Sequence, residues 1–189
     1  MTTHIIAVRG KQVDLGVMHK EYLPQMTDIL NDTRVTKYIL ARPPITLGQE
    51  EEFLEKIEKS SSDHVFAILK KTGDSHEYIG HTGIKVESNR NAVGTTGTVM
   101  KFDELENGYG TEAKHLALFY AFRQLGLRKI RSSVLSINPR SQRFLEKTGH
   151  RIVGRYTNEF LRDGQLCDEI LVELTYEDWC AAWEAYKEA

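Results

Sequence analysis

Two glycines and a threonine stand immediately ahead of a long apolar-periodic run in Asn107-Gly108-Tyr109-Gly110-Thr111-Glu112-Ala113. That arrangement suits the gripping of a phosphate. Glycine takes φ > 0 at little cost and lets an anion approach the backbone closely. The first turn of a helix leaves about four N–H groups without intrahelical partners, and phosphate oxygens fit those donors and the positive end of the helix dipole. Two familiar nucleotide motifs are excluded, since no G-x-x-x-x-G-K-[ST] occurs and Gly108-Tyr109-Gly110 lacks the third glycine of G-x-G-x-x-G. Taken alone, the glycine pair also fits an ordinary turn before an ordinary helix, so the surrounding elements must decide.

Ala113, Leu116, Ala117, Tyr120, Ala121 and Gln124 recur at helical spacing after the glycines, and Gly126 supplies the stop. Ahead of the motif, Thr95 to Phe102 reads as a strand rich in Thr and Val. Val65–Leu69 and Tyr78–Val86 read as an antiparallel hairpin, with turn residues in Lys71-Thr72-Gly73-Asp74. Alternation places the first strand at Val13–Val17, and a helix follows over Tyr22–Leu30. Arg42-Pro43-Pro44 breaks the chain. Thr46 and Gln49 then stand at capping-box spacing, and Phe53, Leu54 and Ile57 share one face of a second helix. Beyond Gly126, residues 127–137 fit a strand parallel to the one before the glycine motif. Asn138-Pro139 opens a helix that closes at Gly149, with asparagine at the N-cap and proline at the first helical position. Ile152–Tyr156 and Leu166–Leu174 form a closing strand pair across Asp163-Gly164, and Thr175 opens a last helix carrying Trp179 and Trp183 on one face. The order is mixed α/β.

The 189 residues suit one domain spanning 1–189, with no internal repeat and no linker composition. A formal net charge of -2 argues against a broad nucleic-acid surface, and no apolar stretch reaches the length of a membrane span. With Met1-Thr2-Thr3-His4 lacking a signal-peptide layout, a cytoplasmic protein is the default expectation. Cys167 and Cys180 are too few for a disulfide framework, and no histidine shows metal-ligand spacing, so no metal site is expected.

With the glycine loop and Asn138-Pro139-Arg140-Ser141 both in view, the chain resembles the GNAT superfamily of N-acetyltransferases, and most closely the RimL-type branch that acetylates N-terminal amines. Leu127-Arg128-Lys129-Ile130, Phe144-Leu145-Glu146-Lys147-Thr148-Gly149 and Asp163-Gly164-Gln165 leading to Asp168-Glu169 extend the likeness in the right order. The resemblance implies a central twisted mixed sheet flanked by helices, in which a splayed strand pair holds CoA. It implies that Leu105, Glu106, Asn107, Gly108, Tyr109, Gly110 and Thr111 cradle the pyrophosphate of acetyl-CoA, and that Met100, Lys101 and Phe102 offer backbone to the pantetheine arm. Asn138, beyond its capping role, would lie beside that arm with Ser141 near the sulfur. Many members carry a tyrosine acid where Leu145 stands, and a leucine cannot transfer a proton. Ser141 is therefore the candidate for protonating the leaving thiolate.

The implied reaction is attack of a neutral amine on the thioester through a tetrahedral oxyanion, without a metal. Glu169 is the candidate base, with Asp103, Glu104 and His81 as rivals. Three positions depart from the family pattern: Leu105, Glu106 where glycine is common, and His150 where Phe or Tyr is usual. Asp103, Glu104 and Glu106 put acidic charge beside an anion site. Glu50, Glu51, Glu52, Glu55 and Glu58 could attract a cation but read as a solvated helix face. The expected partners are acetyl-CoA and an amine acceptor, with the chain a monomer or homodimer. An N-terminal amine of a protein or peptide is favoured as acceptor. A small-molecule amine (polyamine, amino-sugar or antibiotic) and a non-catalytic CoA-binding sensor are the alternatives.

Overall fold

The structure, a computed structural model, describes residues 4–40 and 43–188. Of the chain break expected at Arg42-Pro43-Pro44, Arg42 lies outside that range. β1 (Ile6–Val8) and β2 (Val13–Val17) pair antiparallel at one edge of the sheet. β1 corrects the expectation of a first strand at Val13, because three residues are too few to show alternation. α1 (Leu23–Asn31), α2 (Thr33–Thr36) and α3 (Leu47–Lys59) follow. The single-turn α2 is a second addition, capped by the Asp32 carboxylate on Arg34 N–H at 2.8 Å. The capping box of α3 forms as its spacing requires: Thr46 N–H donates to Gln49 Oε1 at 2.8 Å and Gln49 N–H to Thr46 Oγ1 at 3.3 Å.

β3 (Asp63–Thr72), β4 (Ser75–Ser88) and β5 (Val93–Met100) make an antiparallel meander beside β2. A short 3-10 turn over Phe102–Glu104 leads to α4 (Tyr109–Phe119), which continues through a π-helical turn at Tyr120–Gln124. β6 (Lys129–Leu135), α5 (Pro139–Lys147), β7 (Arg151–Arg162), β8 (Gln165–Thr175) and α6 (Tyr176–Glu188) complete the chain. The eight strands lie in the order β1-β2-β3-β4-β5-β6-β8-β7. β7 runs well past the expected Tyr156, because register shifts at Ile152/Gly154 and Tyr156/Phe160 interrupt the alternation that would mark it.

Among the described residues β5 and β6 form the one parallel pair, and their pairing stops after Val93–Thr95 against Lys129–Arg131. β6 then follows β8 along its whole length, from Lys129↔Thr175 to Leu135↔Glu169. The sheet therefore opens into a V between Thr96–Met100 and Ser132–Leu135, leaving backbone of β5 without a strand partner on that side.

Strand alternation sends Phe66 and Ile68 to one face and Ala67 and Leu69 to the other. The first face packs against α4 and α6 through Leu116, Ala117, Leu118 and the fully buried Trp179, whose ring lies 5.0 Å from Phe122 and 5.7 Å from Trp183. The second face is covered by α1 and α3 through Met26, Ile29 and Leu54. Each such side chain contributes roughly 1.5–3 kcal/mol by leaving water. Glu50, expected on a solvated helix face, is instead buried at the start of α3; desolvation holds its carboxyl above the usual range. Glu51, Glu52, Glu55 and Glu58 are exposed.

The start of α4 is anchored by a side chain. Glu112, 3% exposed, reaches back to the β1–β2 connection and accepts from the backbone N–H of Lys11 and, at 3.0 Å, of Gln12. These are charge-assisted bonds to donors that no strand satisfies. Glu112→Gln is expected to cost about 1–2 kcal/mol, because the amide oxygen still accepts but carries no charge. Urea unfolding of both proteins measures it, and an unchanged midpoint would remove Glu112 as the anchor. No helix among the described residues is long and apolar enough to cross a membrane.

Candidate active site

Gly108 caps α4 with φ of 86°, a left-handed conformation that glycine adopts without penalty. No side chain caps this end, and the first intrahelical bond runs from Glu112 N–H to Gly108 O at 3.1 Å. The N–H groups of Tyr109, Gly110 and Thr111 are thus the free donors of the first turn. A side chain on Gly110 would bring a Cβ to 3.0 Å from Met100 Sδ and 3.7 Å from Phe144, so glycine keeps the passage beside it clear.

Three cavities lie end to end from this point. The outer one, about 460 Å³, has Gly108, Gly110 and Thr111 on one wall and Arg140, Arg143 and Lys147 on the other. The middle one, about 140 Å³, shares Met100, Leu105, Gly110 and Phe144 with it and adds Asn138 and Ser141. The inner one, about 310 Å³, shares Asn138, Ser141 and Phe144 with the middle one and passes through the V to Ser132, Lys114, Phe160 and Glu169. A basic mouth, a largely apolar neck and a chamber of mixed polar and apolar lining therefore follow one another.

Asn138 caps α5 as its sequence position requires, accepting from Ser141 N–H at 3.0 Å, and it is 8% exposed. Capping uses its Oδ1, and the residue lines the two inner cavities. Ser141 contributes only its N–H to that cap, so its hydroxyl is free for the two inner cavities it lines. Leu145, one turn on, is buried among Val134, Ile170 and Val172 and offers no proton.

The remaining sequence candidates are placed as follows. Met100, Leu105, Glu106, Gly108, Gly110 and Thr111 line the groove. Lys101 and Phe102 line none of the three cavities: the Lys101 N–H donates to Ile79 O at 2.9 Å and its side chain turns to Glu77 at 3.0 Å, while the Phe102 ring lies under the Arg34 guanidinium at 4.5 Å. Asn107 is exposed, and Tyr109 packs at the margin of the core. Among the base candidates, Asp103 pairs with Arg34 at 3.0 Å, and Glu104 with Lys70 at 2.5 Å. His81 bonds the Tyr78 hydroxyl at 3.0 Å, and burial pushes it down to about 4. Glu169 lines the inner cavity. It alternates on β8 with Ile170, which packs beneath Phe144 and Leu145, so Glu169 projects from the opposite face of the sheet.

Two of the three acids beside the anion site are thus neutralised by distant cations. The third, Glu106, has φ of 66°, which explains why glycine is favoured at that position in the resemblance. His150 fills an aromatic slot as a buried neutral ring: Nδ1 lies 3.1 Å from Thr148 Oγ1, and burial, with Lys114 nearby, takes it down to about 3. Arg140, Arg143 and Lys147 were not anticipated from sequence. Their signal was present, because i, i+3 and i+7 place three cations on one face of a helix.

A helix N-terminus with free amides, a facing cationic stripe and a split parallel strand pair define a class of enzyme that takes an acyl group from a CoA thioester. The chain belongs to the GNAT acetyltransferases: the family model for the acetyltransferase (GNAT) domain matches residues 15–151. None of the curated proteins matches it at significant similarity. Solved structures share the fold. The spermidine N-acetyltransferase from Vibrio cholerae in complex with CoA and spermine superposes with TM-score 0.82 at 18% identity, covering 89% of this chain and 98% of that one. A GNAT-family acetyltransferase from Bacillus anthracis gives 0.77 at 20% identity, covering 90% and 98%. A GCN5-related N-acetyltransferase from Brucella melitensis gives 0.75 at 22% identity, covering 96% and 83%. The protein is an acetyl-CoA-dependent N-acetyltransferase of the mixed α/β GNAT fold.

Proposed function

We propose that the acceptor is the α-amino group of a protein or peptide, as in the RimL-type branch, and that transfer is direct within a ternary complex. One observation carries this reading. Ser141 and Glu169 line one cavity from opposite faces of the split sheet, so a donor entering past Ser141 and an amine entering past Glu169 meet inside it. The amine nitrogen forms a bond to the thioester carbonyl carbon, the C–S bond breaks, Ser141 protonates the thiolate, and Glu169 takes the proton released by the amine. Unpaired N–H groups on the open edge of β5 are the donors available to the oxyanion. An α-amino group with a pKa of about 8 is already partly neutral at physiological pH, so one half-buried carboxylate is base enough.

The acetyltransferases of spermidine among the similar structures favour a second reading, a polyamine acceptor. The inner cavity supports it less well, since Glu169 is its one carboxylate among the described lining residues and Ile39, Leu40 and Phe160 give it apolar walls. A polycation needs several carboxylates, whereas a peptide amine with an apolar first side chain needs one. Free-thiol release from acetyl-CoA with a panel of short peptides and with spermidine decides between them. We expect kcat/KM for the best peptide to exceed that for spermidine by at least about tenfold; the reverse order would assign the enzyme to polyamines.

A further inference from the structure

Lys114 on α4 is 1% exposed and ends in the inner cavity. Its one hydrogen bond among the described residues is to Thr96 Oγ1 at 3.0 Å, so two of the three N–H donors of an ammonium have no partner there. Among the described residues no carboxylate forms an ion pair with it, and desolvation is the one cause acting on the amine. The Phe144 ring, 5.7 Å from Nζ, gives partial compensation, and burial takes the amine down to about 7. Thr96 Oγ1 in turn lies 2.9 Å from Ser132 Oγ, immediately beyond the last paired residues of β5 and β6. The apex of the V is therefore hydroxylic and basic, where the methyl of an acetyl group alone would call for an apolar wall. Lys114 projects from the α4 face, on the donor side, while Glu169 faces the acceptor side.

A buried amine with unfilled donors is relieved most by an anion. We propose that Lys114 equips this enzyme to use acyl-CoA donors whose acyl chain ends in a carboxylate, of the malonyl and succinyl type, by pairing with that carboxylate at the apex of the split strands. The inference rests on the reading that the thioester enters between β5 and β6. The reaction balances as for acetyl transfer: the amine N–C bond forms, the C–S bond breaks, CoA leaves as the thiol, and the product amide keeps its free carboxylate. No further reactant is required.

The test compares donors of equal length with one acceptor peptide: succinyl-CoA against butyryl-CoA, and malonyl-CoA against propionyl-CoA. The wild-type enzyme is expected to favour the carboxylate-bearing member of each pair by at least about tenfold in kcat/KM, and Lys114→Met to reduce that preference by about 10- to 100-fold. Methionine keeps the length and removes the uncompensated amine, so the variant should melt at or above the wild-type temperature. An equal or inverted preference in the wild type overturns the proposal whether or not the variant folds, as does a preference that Lys114→Met leaves intact. Calorimetry with CoA separates the two levels: CoA bound without donor discrimination sinks only the role of Lys114, whereas no CoA uptake sinks the reading beneath it.

Discussion

Replacing Ser141 with alanine is expected to lower kcat by about 10²–10³-fold, the range lost when a positioned general acid is removed. The acetyl-CoA dissociation constant should stay within about fivefold, since at most one neutral hydrogen bond is lost. The substitution isolates the hydroxyl because the residue's structural duty belongs to its backbone: Ser141 N–H, not Oγ, satisfies the Asn138 cap. Alanine is also the better helix former, so α5 should not weaken. Leu145 cannot substitute, being buried among aliphatic side chains one turn further along. Single-turnover thiol release at saturating acceptor measures the effect. A variant with wild-type kcat and a raised KM would show that the hydroxyl binds the donor without delivering a proton.

The parts of this fold legible in sequence are those fixed by contacts a few residues apart. Thr46 and Gln49 cap each other, Asn138 and Pro139 open α5, and Gly126, Gly149 and the Asp163-Gly164 turn take the positive φ that stops or reverses the chain. The glycine loop was legible for the same reason. What escaped is set at long range or by irregular backbone. β1 exists only because β2 pairs with it, and the bulges of β7 hide its period. The harmlessness of Asp103 and Glu104 depends on Arg34 and Lys70, which only the tertiary fold brings near. Lys114 reads in sequence as one more residue of an amphipathic helix. Its position becomes unusual only once β6 has followed β8 away from β5 and opened a cavity above it.

The outer cavity makes the second large prediction, because its two walls supply different kinds of attraction. The amides of Tyr109, Gly110 and Thr111 are fixed dipoles that no side-chain substitution removes. Arg140, Arg143 and Lys147 are mobile charges, and the last two are largely exposed. Changing all three to glutamine should therefore weaken CoA binding by about 10²–10³-fold, less than the sum of three charge-assisted bonds because such contributions overlap. Residual binding should persist on the backbone donors. It should also lose its dependence on ionic strength, since the screened part of the attraction lies in those side chains. Calorimetry at low and high salt reads both effects. If the triple variant binds CoA as tightly as the wild type, and with the same salt dependence, the diphosphate is held by the helix terminus alone and the cationic face of α5 serves something else.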